Sequence, residues 1–251
     1  MQQRYQYEDA LLAEKQRSQG EKAIWKYPAK VFSQNFEDAI IAEIFHRVGT
    51  TSRTFVEVGI GDGTECNTRF LLAQGWKGLW IEGDERSAER AKNRFHQEIS
   101  TGMLSIEQSF VTRDNINGII ERAGLADEID FLSVDVDMNT HHIWRSIRTR
   151  SRVSCIEYNA TFPPLTDFCV PYADDGVWDG TNWFGASLQH LMDIAKHKSV
   201  SLVGCDNTGI NAFFVADSLV GDNFIAPNDI DVHYEPARYV LTAQRGHPRA
   251  T

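Results

Sequence analysis

A glycine-rich turn between two apolar runs constrains the fold of this 251-residue chain more than any other feature. The first run and its turn read Thr54-Phe55-Val56-Glu57-Val58-Gly59-Ile60-Gly61-Asp62-Gly63-Thr64. A helix-forming segment follows, and a second apolar run at 79–81 ends in Glu82. This order predicts a strand, a glycine loop, a helix and a second strand. Such a unit suits a nucleoside, because glycines let the backbone approach a ligand and the distal acid can bind ribose hydroxyls.

The spacing of the glycines indicates which nucleoside fits. A dinucleotide fingerprint requires G-x-G-x-x-G, but Thr64 stands where its third glycine would be. The pattern Glu57-x-Gly59-x-Gly61-x-Gly63 instead resembles motif I of the class I S-adenosylmethionine (AdoMet) methyltransferases. That resemblance implies that Glu57 and the three glycines contact AdoMet.

Charge favours the same ligand. The resemblance matches Glu82 to the acid that binds the cofactor's ribose diol at the end of the second strand. Glu57 and Asp62 would repel a diphosphate, whereas AdoMet carries a sulfonium and an ammonium and no phosphate. The alternative is a glycine turn that binds no ligand.

Composition narrows the classes of protein. Hydrophobic residues make up 42% of the chain, which is enough for a sizeable core, and no apolar stretch approaches the ~20 residues of a membrane span. The formal net charge of -10 argues against nucleic acid as a partner. The N-terminus has no apolar signal core, and the four cysteines form no C-x-x-C pair, so we expect reduced thiols and a cytoplasmic protein.

The rest of the pattern predicts an α/β fold. We expect an N-terminal helical arm at 1–32, either packed on the domain or acting as a lid, and a methyltransferase-like catalytic domain at 33–251. Further strands are predicted at 103–111, 129–137, 153–159, 200–205 and 212–215, with helices from residue 33 and at 87–97, 115–123, 143–147 and 186–196. The predicted architecture is Rossmann-like: a mostly parallel seven-stranded sheet with a C-terminal antiparallel strand and helices on both faces.

Several further residues are candidates for the cofactor site. Gln34 precedes the first strand, where methyltransferases of this class often contact the methionine end of AdoMet, although Ser33 or Asn35 there could simply cap a helix. Asn67 and Thr68 lie where a helix N-terminus would meet the methionine carboxylate. Phe110 ends the third strand, where the adenine is usually held.

A second group of polar residues follows the fourth and fifth strands. Parallel sheets bind ligands outside the carboxyl ends of their strands, so these side chains should converge. Alternation along a strand would direct the first pair to one face of strand four and the last pair to one face of strand five. The group comprises Asp135, Asp137, His141, His142, Glu157 and Asn159.

Two resemblances apply to this group. The run Phe131-Leu132-Ser133-Val134-Asp135-Val136-Asp137 resembles the FkbM-type methyltransferases, with Met138 and Thr140 where those usually carry a glycine and an acid. The positions of Asp137, Glu157 and Asn159 are similar to the ligands of metal-dependent O-methyltransferases. The second resemblance implies a divalent metal held by Asp137, Glu157 and Asn159, with His142 as a further ligand.

The metal hypothesis has a mechanism, and so does its alternative. A divalent ion could lower the pKa of a substrate hydroxyl; oxygen ligands favour Mg²⁺, and a histidine ligand favours Mn²⁺, Fe²⁺ or Zn²⁺. Without a metal, Asp135 would orient AdoMet, Asp137 would cap a helix, and His141 or His142 would be the general base. We therefore regard Asp135, Asp137, His141 and His142 as the catalytic candidates, with Asp135 also a cofactor candidate.

The sequence as a whole predicts AdoMet-dependent O-methylation of a small hydroxylated acceptor, either a saccharide or a secondary metabolite. A 160–183 loop is long enough to be functional, and it could contact the acceptor or a second copy in a homo-oligomer. Two alternatives stay open: a metal-dependent enzyme without methyl transfer on the same fold, and a non-catalytic nucleoside-binding module.

Overall fold

The computed structural model describes residues 20–238, and a single seven-stranded sheet forms its centre. The strand order is β3-β2-β1-β4-β5-β7-β6. The five strands from β1 to β5 pair in parallel, and β7 lies antiparallel to both β5 and β6. The strands are β1 Thr54–Val58, β2 Lys77–Glu82, β3 Leu104–Gln108, β4 Glu128–Val134, β5 Arg150–Glu157, β6 Val200–Cys205 and β7 Asn211–Ala216. This arrangement confirms the predicted fold class.

Helices connect the strands and cover the sheet. The segment expected as one helix at 87–97 forms two, which meet at Phe95. None of the helices in the described part of the chain is long and apolar enough to cross a membrane. The helices are α1 Glu37–Val48, α2 Arg69–Ala73, α3 Glu85–Arg94, α4 His96–Ser100, α5 Ile116–Arg122, α6 Thr140–Ser146, α7 Leu188–Lys198, α8 Asp217–Val220 and α9 Ile230–His233.

The core is divided between the two faces of the sheet. Alternate residues of β1 separate accordingly: Phe55 packs in one apolar cluster, and Val56 and Val58 pack in the other. Ile24 and Trp25, in a short 3-10 helix before α1, are fully buried in the cluster that contains Phe55. This part of the predicted 1–32 arm therefore packs on the domain, and residues 1–19 lie outside the described part of the chain.

The carboxyl end of β4 differs from the expectation. The strand ends at Val134 rather than at residue 137, and Asp137 adopts a left-handed backbone conformation (φ 53°) in a 3-10 turn that leads into α6. Asp135 and Asp137 therefore do not alternate along a strand as predicted. They follow the strand as part of a turn, which still leaves them at the carboxyl edge of the sheet.

The backbones after β1 and β4 approach each other closely. Asp135 N donates a hydrogen bond to Val58 O at 3.0 Å, and Gly59 lies directly beside the Asp135 carbonyl. A Cβ added to Gly59 would lie 1.7 Å from that carbonyl oxygen, at a φ of 87°. Only glycine satisfies both the space and the conformation at this position.

A buried carboxylate stabilises the end of the sheet at which the parallel strands begin. Asp130 in β4 accepts hydrogen bonds from Thr51 N at 2.9 Å and Arg53 N at 2.5 Å, and its side chain is fully buried. Arg152 Nε, on neighbouring β5, lies 3.1 Å from Asp130 Oδ1. Asp130 thus joins the turn before β1 to strands β4 and β5.

We expect Asp130→Ala to lower the free energy of unfolding by about 3–5 kcal/mol, because it removes one partner of a buried ion pair. Chemical denaturation provides the measurement. Glu128→Ala is the matched control, since Glu128 lies on the same strand but its contact to Arg150 is exposed and 3.8 Å long. An exposed pair contributes at most about 1 kcal/mol, so equal losses in the two variants would contradict the role given to Asp130.

We expect Gly59→Ala to destabilise the protein by more than about 3 kcal/mol, because the added methyl group overlaps a carbonyl oxygen and the backbone must move. Gly49→Ala is the control: Gly49 also has a positive φ (69°), but its Cβ would meet nothing within 4 Å. The control should lose about 1–2 kcal/mol from backbone strain alone. Thermal unfolding of both variants compares them, and equal losses would show that the Gly59 contact is unimportant.

Candidate functional site

Two contiguous cavities open at the carboxyl ends of the parallel strands. The smaller has a volume of about 280 Å³ and lies against the start of α1, and the larger has a volume of about 650 Å³ and extends over β2 and the end of β3. Gly59, Gly61 and Asp135 line both cavities, so one ligand could extend through both. Ligands bind at this edge in open α/β sheets.

The larger cavity combines an apolar wall with the carboxylate at the end of β2. Ile81, Phe110 and Val111 supply apolar surface, and Phe110 is 46% exposed. Glu82 lines the same cavity and accepts hydrogen bonds from Gly61 N at 2.6 Å and Asp84 N at 2.9 Å. A carboxylate has about four acceptor sites, so two remain for a diol.

The smaller cavity is acidic. Glu37, Glu57 and Asp135 line it, and none of the lysines and arginines in the described chain does. Within residues 20–238, none of these three carboxylates forms an ion pair with a basic side chain. Burial raises the pKa of all three, to about 7 for Glu57 and about 6 for Asp135. A bound cation would stabilise their ionised forms.

Unused acceptors in the smaller cavity also indicate a cationic ligand. Asn35 and Asn211 line this cavity, and their side-chain oxygens are buried and accept no hydrogen bond within the described chain. Asn211 Nδ2 donates to Glu37 Oε1 at 2.8 Å, which fixes the orientation of both side chains. Buried acceptors without partners are costly, and an ammonium group would satisfy them.

Glu57, the acid of the glycine motif, forms hydrogen bonds with the residues that end the glycine loop. Glu57 accepts hydrogen bonds from Asn67 N at 2.8 Å, Thr68 N at 2.9 Å and Thr68 Oγ1 at 2.5 Å. Thr68 is fully buried, and its hydroxyl also accepts from Trp80 Nε1 at 2.6 Å. Asn67 lines the smaller cavity, whereas Thr68 lines neither. Glu57 therefore orients the start of α2 as well as contributing charge.

Two other predicted residues have different surroundings. Gly63 lines neither cavity; a Cβ there would lie 2.8 Å from the Phe95 ring and 2.9 Å from the Trp80 ring, so this glycine permits aromatic packing. Gln34 lines the smaller cavity and is exposed, and its backbone carbonyl oxygen accepts a hydrogen bond from Lys30 Nζ at 2.9 Å.

Three carboxylates converge beside the cavities. Asp135, Asp137 and Glu157 each offer an oxygen within 4.8 Å of the others. Burial is the largest cause of the raised pKa of each of the three, and the repulsion by Asp135 and Asp137 raises the pKa of Glu157 further. Thr140 Oγ1 donates to Glu157 Oε2 at 3.2 Å. Such a set is stable when it holds a proton or a cation.

The other two predicted metal ligands do not join this set. Asn159 is fully buried: its Nδ2 donates to Asn182 O and Phe184 O, both at 2.9 Å, and its Oδ1 accepts from Thr161 N. His142 lies beside the loop instead, where its Nε2 bonds to Val170 O at 3.0 Å. The converging set is therefore Asp135, Asp137 and Glu157. Asn159 and His142 instead form hydrogen bonds with the 160–183 loop and its flanking residue Phe184.

The histidines predicted as general bases also lie away from the cavities. His141 and His142 line neither, and both bond to the same carbonyl, Val170 O. Burial, together with the charges of His142 and His190, lowers the pKa of His141 to about 3, and burial lowers that of His142. Their side chains belong to the contact between α6 and the loop.

The residues present fit AdoMet. The larger cavity offers a carboxylate for a ribose diol and an apolar wall for a base. The smaller cavity offers negative charge and unpaired acceptors for an ammonium group and, among the described residues, no basic side chain for a phosphate. A dinucleotide would lack partners for its diphosphate here.

Three residues of this site are not identified by the sequence. Asn35 and Glu37 have the pattern of helix-start residues, and Asn211 has that of a turn. Glu37 and Asn211 are 174 positions apart in the chain. Their contact depends on α1 lying beside the start of β7, and no local pattern gives that packing.

No protein-family model matches the chain, and no curated protein does either. Solved structures show distant likeness. The N-terminal domain of EvdMO1, crystallised in the presence of SAH and D-fucose, is 12% identical, with 72% of this chain and 82% of that chain covered and a TM-score of 0.47. A putative O-methyltransferase from Klebsiella pneumoniae is 12% identical, with 82% and 86% covered and a TM-score of 0.45. The O-methyltransferase TomG from Streptomyces achromogenes, in complex with SAM, is 16% identical, with 69% and 76% covered and a TM-score of 0.41.

Proposed function

We propose that this chain is an AdoMet-dependent methyltransferase that acts on a small hydroxylated acceptor. The observation that carries the proposal is the acidic cavity: buried carboxylates and two unpaired asparagine oxygens, with no basic side chain from the described residues, open into a second cavity that presents a ribose-binding carboxylate. A nucleoside whose other end is cationic is complementary to this arrangement. AdoMet is such a molecule.

Each part of the cofactor has a partner in the proposal. Glu82 would accept the ribose hydroxyls, and the wall formed by Ile81, Phe110 and Val111 would contact the adenine. Asn35 and Asn211 would accept from the ammonium, and the exposed amide of Gln34 would donate to the carboxylate. When bound, AdoMet supplies an electrophilic methyl group on a positively charged sulfur.

The chain's own catalytic contribution would be orientation and removal of a proton. Asp135 lines both cavities, which places its carboxylate at their junction. With a pKa of about 6 when no cation is bound, Asp135 is mainly ionised at neutral pH and in that state would accept the proton of an acceptor hydroxyl. Alignment of the acceptor oxygen with the methyl group supplies much of the remaining rate enhancement in reactions of this kind.

We further propose that Asp137 and Glu157, together with Asp135, take a divalent cation. Three carboxylate oxygens form a hard donor set, which suits Mg²⁺ better than a soft metal. The cation would lower the pKa of a bound hydroxyl and offset the repulsion within the set. Asp137 also lines the larger cavity, so the cation would lie next to the acceptor.

We expect S-adenosylhomocysteine to bind with micromolar affinity and Glu82→Ala to weaken that binding at least about tenfold, because a charge-assisted hydrogen bond contributes about 1.5–3 kcal/mol. Isothermal titration calorimetry measures both. Glu89→Ala, an exposed change on α3, should bind like the parent. Absence of binding by the folded parent would overturn the methyltransferase proposal, and unchanged affinity of Glu82→Ala would remove Glu82 from the site.

We expect Glu157→Gln to abolish binding of Mg²⁺ or Mn²⁺ while leaving S-adenosylhomocysteine bound, because the amide removes one anionic ligand of the cation and not a cofactor contact. Manganese electron paramagnetic resonance counts the bound ions. Glu128→Gln makes the same chemical change at the first residue of β4, away from the carboxylate set, and should keep full occupancy by the metal ion. Full occupancy in Glu157→Gln would disprove the cation proposal.

A further inference from the structure

A second cluster of potential metal ligands lies outside both cavities. His141 of α6, Cys169 of the loop and His190 of α7 each offer a ligand atom within 4.8 Å of the others. None of the three lines either cavity. The cluster shares no residue with the carboxylates Asp135, Asp137 and Glu157. It joins three segments that are separate in the chain, and neither cofactor binding nor methyl transfer requires it.

His141 has one ring nitrogen without a hydrogen-bond partner among the described residues. The residue is fully buried, and its Nε2 lies 3.2 Å from the carbonyl oxygen of Val170. A carbonyl can only accept, so the ring proton is on Nε2 and Nδ1 carries a lone pair. Nδ1 is buried and has no hydrogen-bond partner within the described residues. Apolar packing does not explain a buried, oriented lone pair that binds nothing.

His190 is oriented in the corresponding way. Its Nδ1 lies 2.8 Å from Asp167 Oδ1, so the ring proton is directed at a carboxylate and Nε2 carries the lone pair. Arg145 NH2 now contacts that nitrogen at 3.2 Å, but Arg145 is exposed and can turn away. A carboxylate or a backbone carbonyl on the far nitrogen of a histidine is the usual support of a metal ligand, because it fixes the tautomer.

We propose that His141 Nδ1, Cys169 Sγ and His190 Nε2 bind a zinc ion. Two imidazoles and a thiolate match the preference of Zn²⁺, with a fourth position for water, whereas Mg²⁺ favours oxygen ligands. In tetrahedral zinc sites, neighbouring nitrogen and sulfur ligands lie roughly 3.5 Å apart. Cys169 and His190 are only partly buried, so their side chains can rotate to close the remaining distance.

Zinc would link the loop to helices α6 and α7. Binding takes the proton from the Cys169 thiol and releases it to solvent, while both imidazoles bind in their neutral form. Cys169 pairs with Ala186 across the base of the loop, and Gly176 and Val177 of that loop line the larger cavity. The ion would thus fix the wall of the cavity without contacting its ligand. This inference does not depend on the proposed methyl transfer.

The test uses the full chain, stripped of metal with a chelator and then titrated with Co²⁺ and with Zn²⁺. We expect a cobalt–thiolate charge-transfer absorption, displacement of Co²⁺ by Zn²⁺, the release of about one proton per zinc at this site, and one bound ion per chain in Glu157→Gln, where the carboxylate set takes none. Cys169→Ser should lose the charge-transfer absorption. His190→Ala should weaken zinc binding at least about tenfold, because removing even a supporting group of a ligand costs about 10–100-fold in affinity.

Two control variants test whether zinc binding is specific to these three ligands. His197→Ala removes an exposed histidine from the same helix α7 and should leave zinc affinity unchanged. Glu157→Gln should leave the cobalt–thiolate absorption unchanged, because that residue belongs to the carboxylate set. Circular dichroism confirms that each variant is folded. Absence of the absorption in the folded parent, or equal absorption in folded Cys169→Ser, would overturn the proposal.

Discussion

The contact between the backbones after β1 and β4 is the constraint on which the rest of the site depends. Asp135 N bonds to Val58 O, and the missing side chain of Gly59 lets the Asp135 carbonyl lie against it. With a side chain there, the two central strands could not end at the same level. The two cavities meet at this contact, since Gly59 and Asp135 line both. The packing of the central strands and the path of a ligand therefore have one cause.

Carboxylates surround this contact, and the backbone rather than basic side chains stabilises them. Glu57 is held by the amides of Asn67 and Thr68, and Glu82 by those of Gly61 and Asp84. Amide donors orient a carboxylate without cancelling its full charge. The site consequently keeps a negative potential toward a ligand, and Glu57 and Asp135, with pKa values of about 7 and 6, reach their full charge only above neutral pH or with a cation bound.

The sequence predicted the sheet and part of the candidate site because short, local residue patterns indicate both. Alternating strands and helices predicted the parallel order and the closing antiparallel strand, and the glycine motif with the acid after the second strand predicted Gly59, Gly61 and Glu82, which line the larger cavity. It could not give the left-handed turn at Asp137, because Asp is not a residue type that by itself requires a positive φ. It also missed the pairing of Glu37 with Asn211, because that contact joins distant parts of the chain.

Helix α6 connects the carboxylate set with the cluster of His141, Cys169 and His190. Its first residue, Thr140, accepts a hydrogen bond from Val136 N at 2.9 Å and donates to Glu157, so it positions the carboxylates. The next two residues, His141 and His142, both contact Val170 O and so position the loop. One turn of helix is a rigid connection over this distance. The same helical turn therefore contacts both the loop at Val170 and the carboxylate set at Glu157, and through it we expect the position of the loop to influence the geometry of the carboxylates.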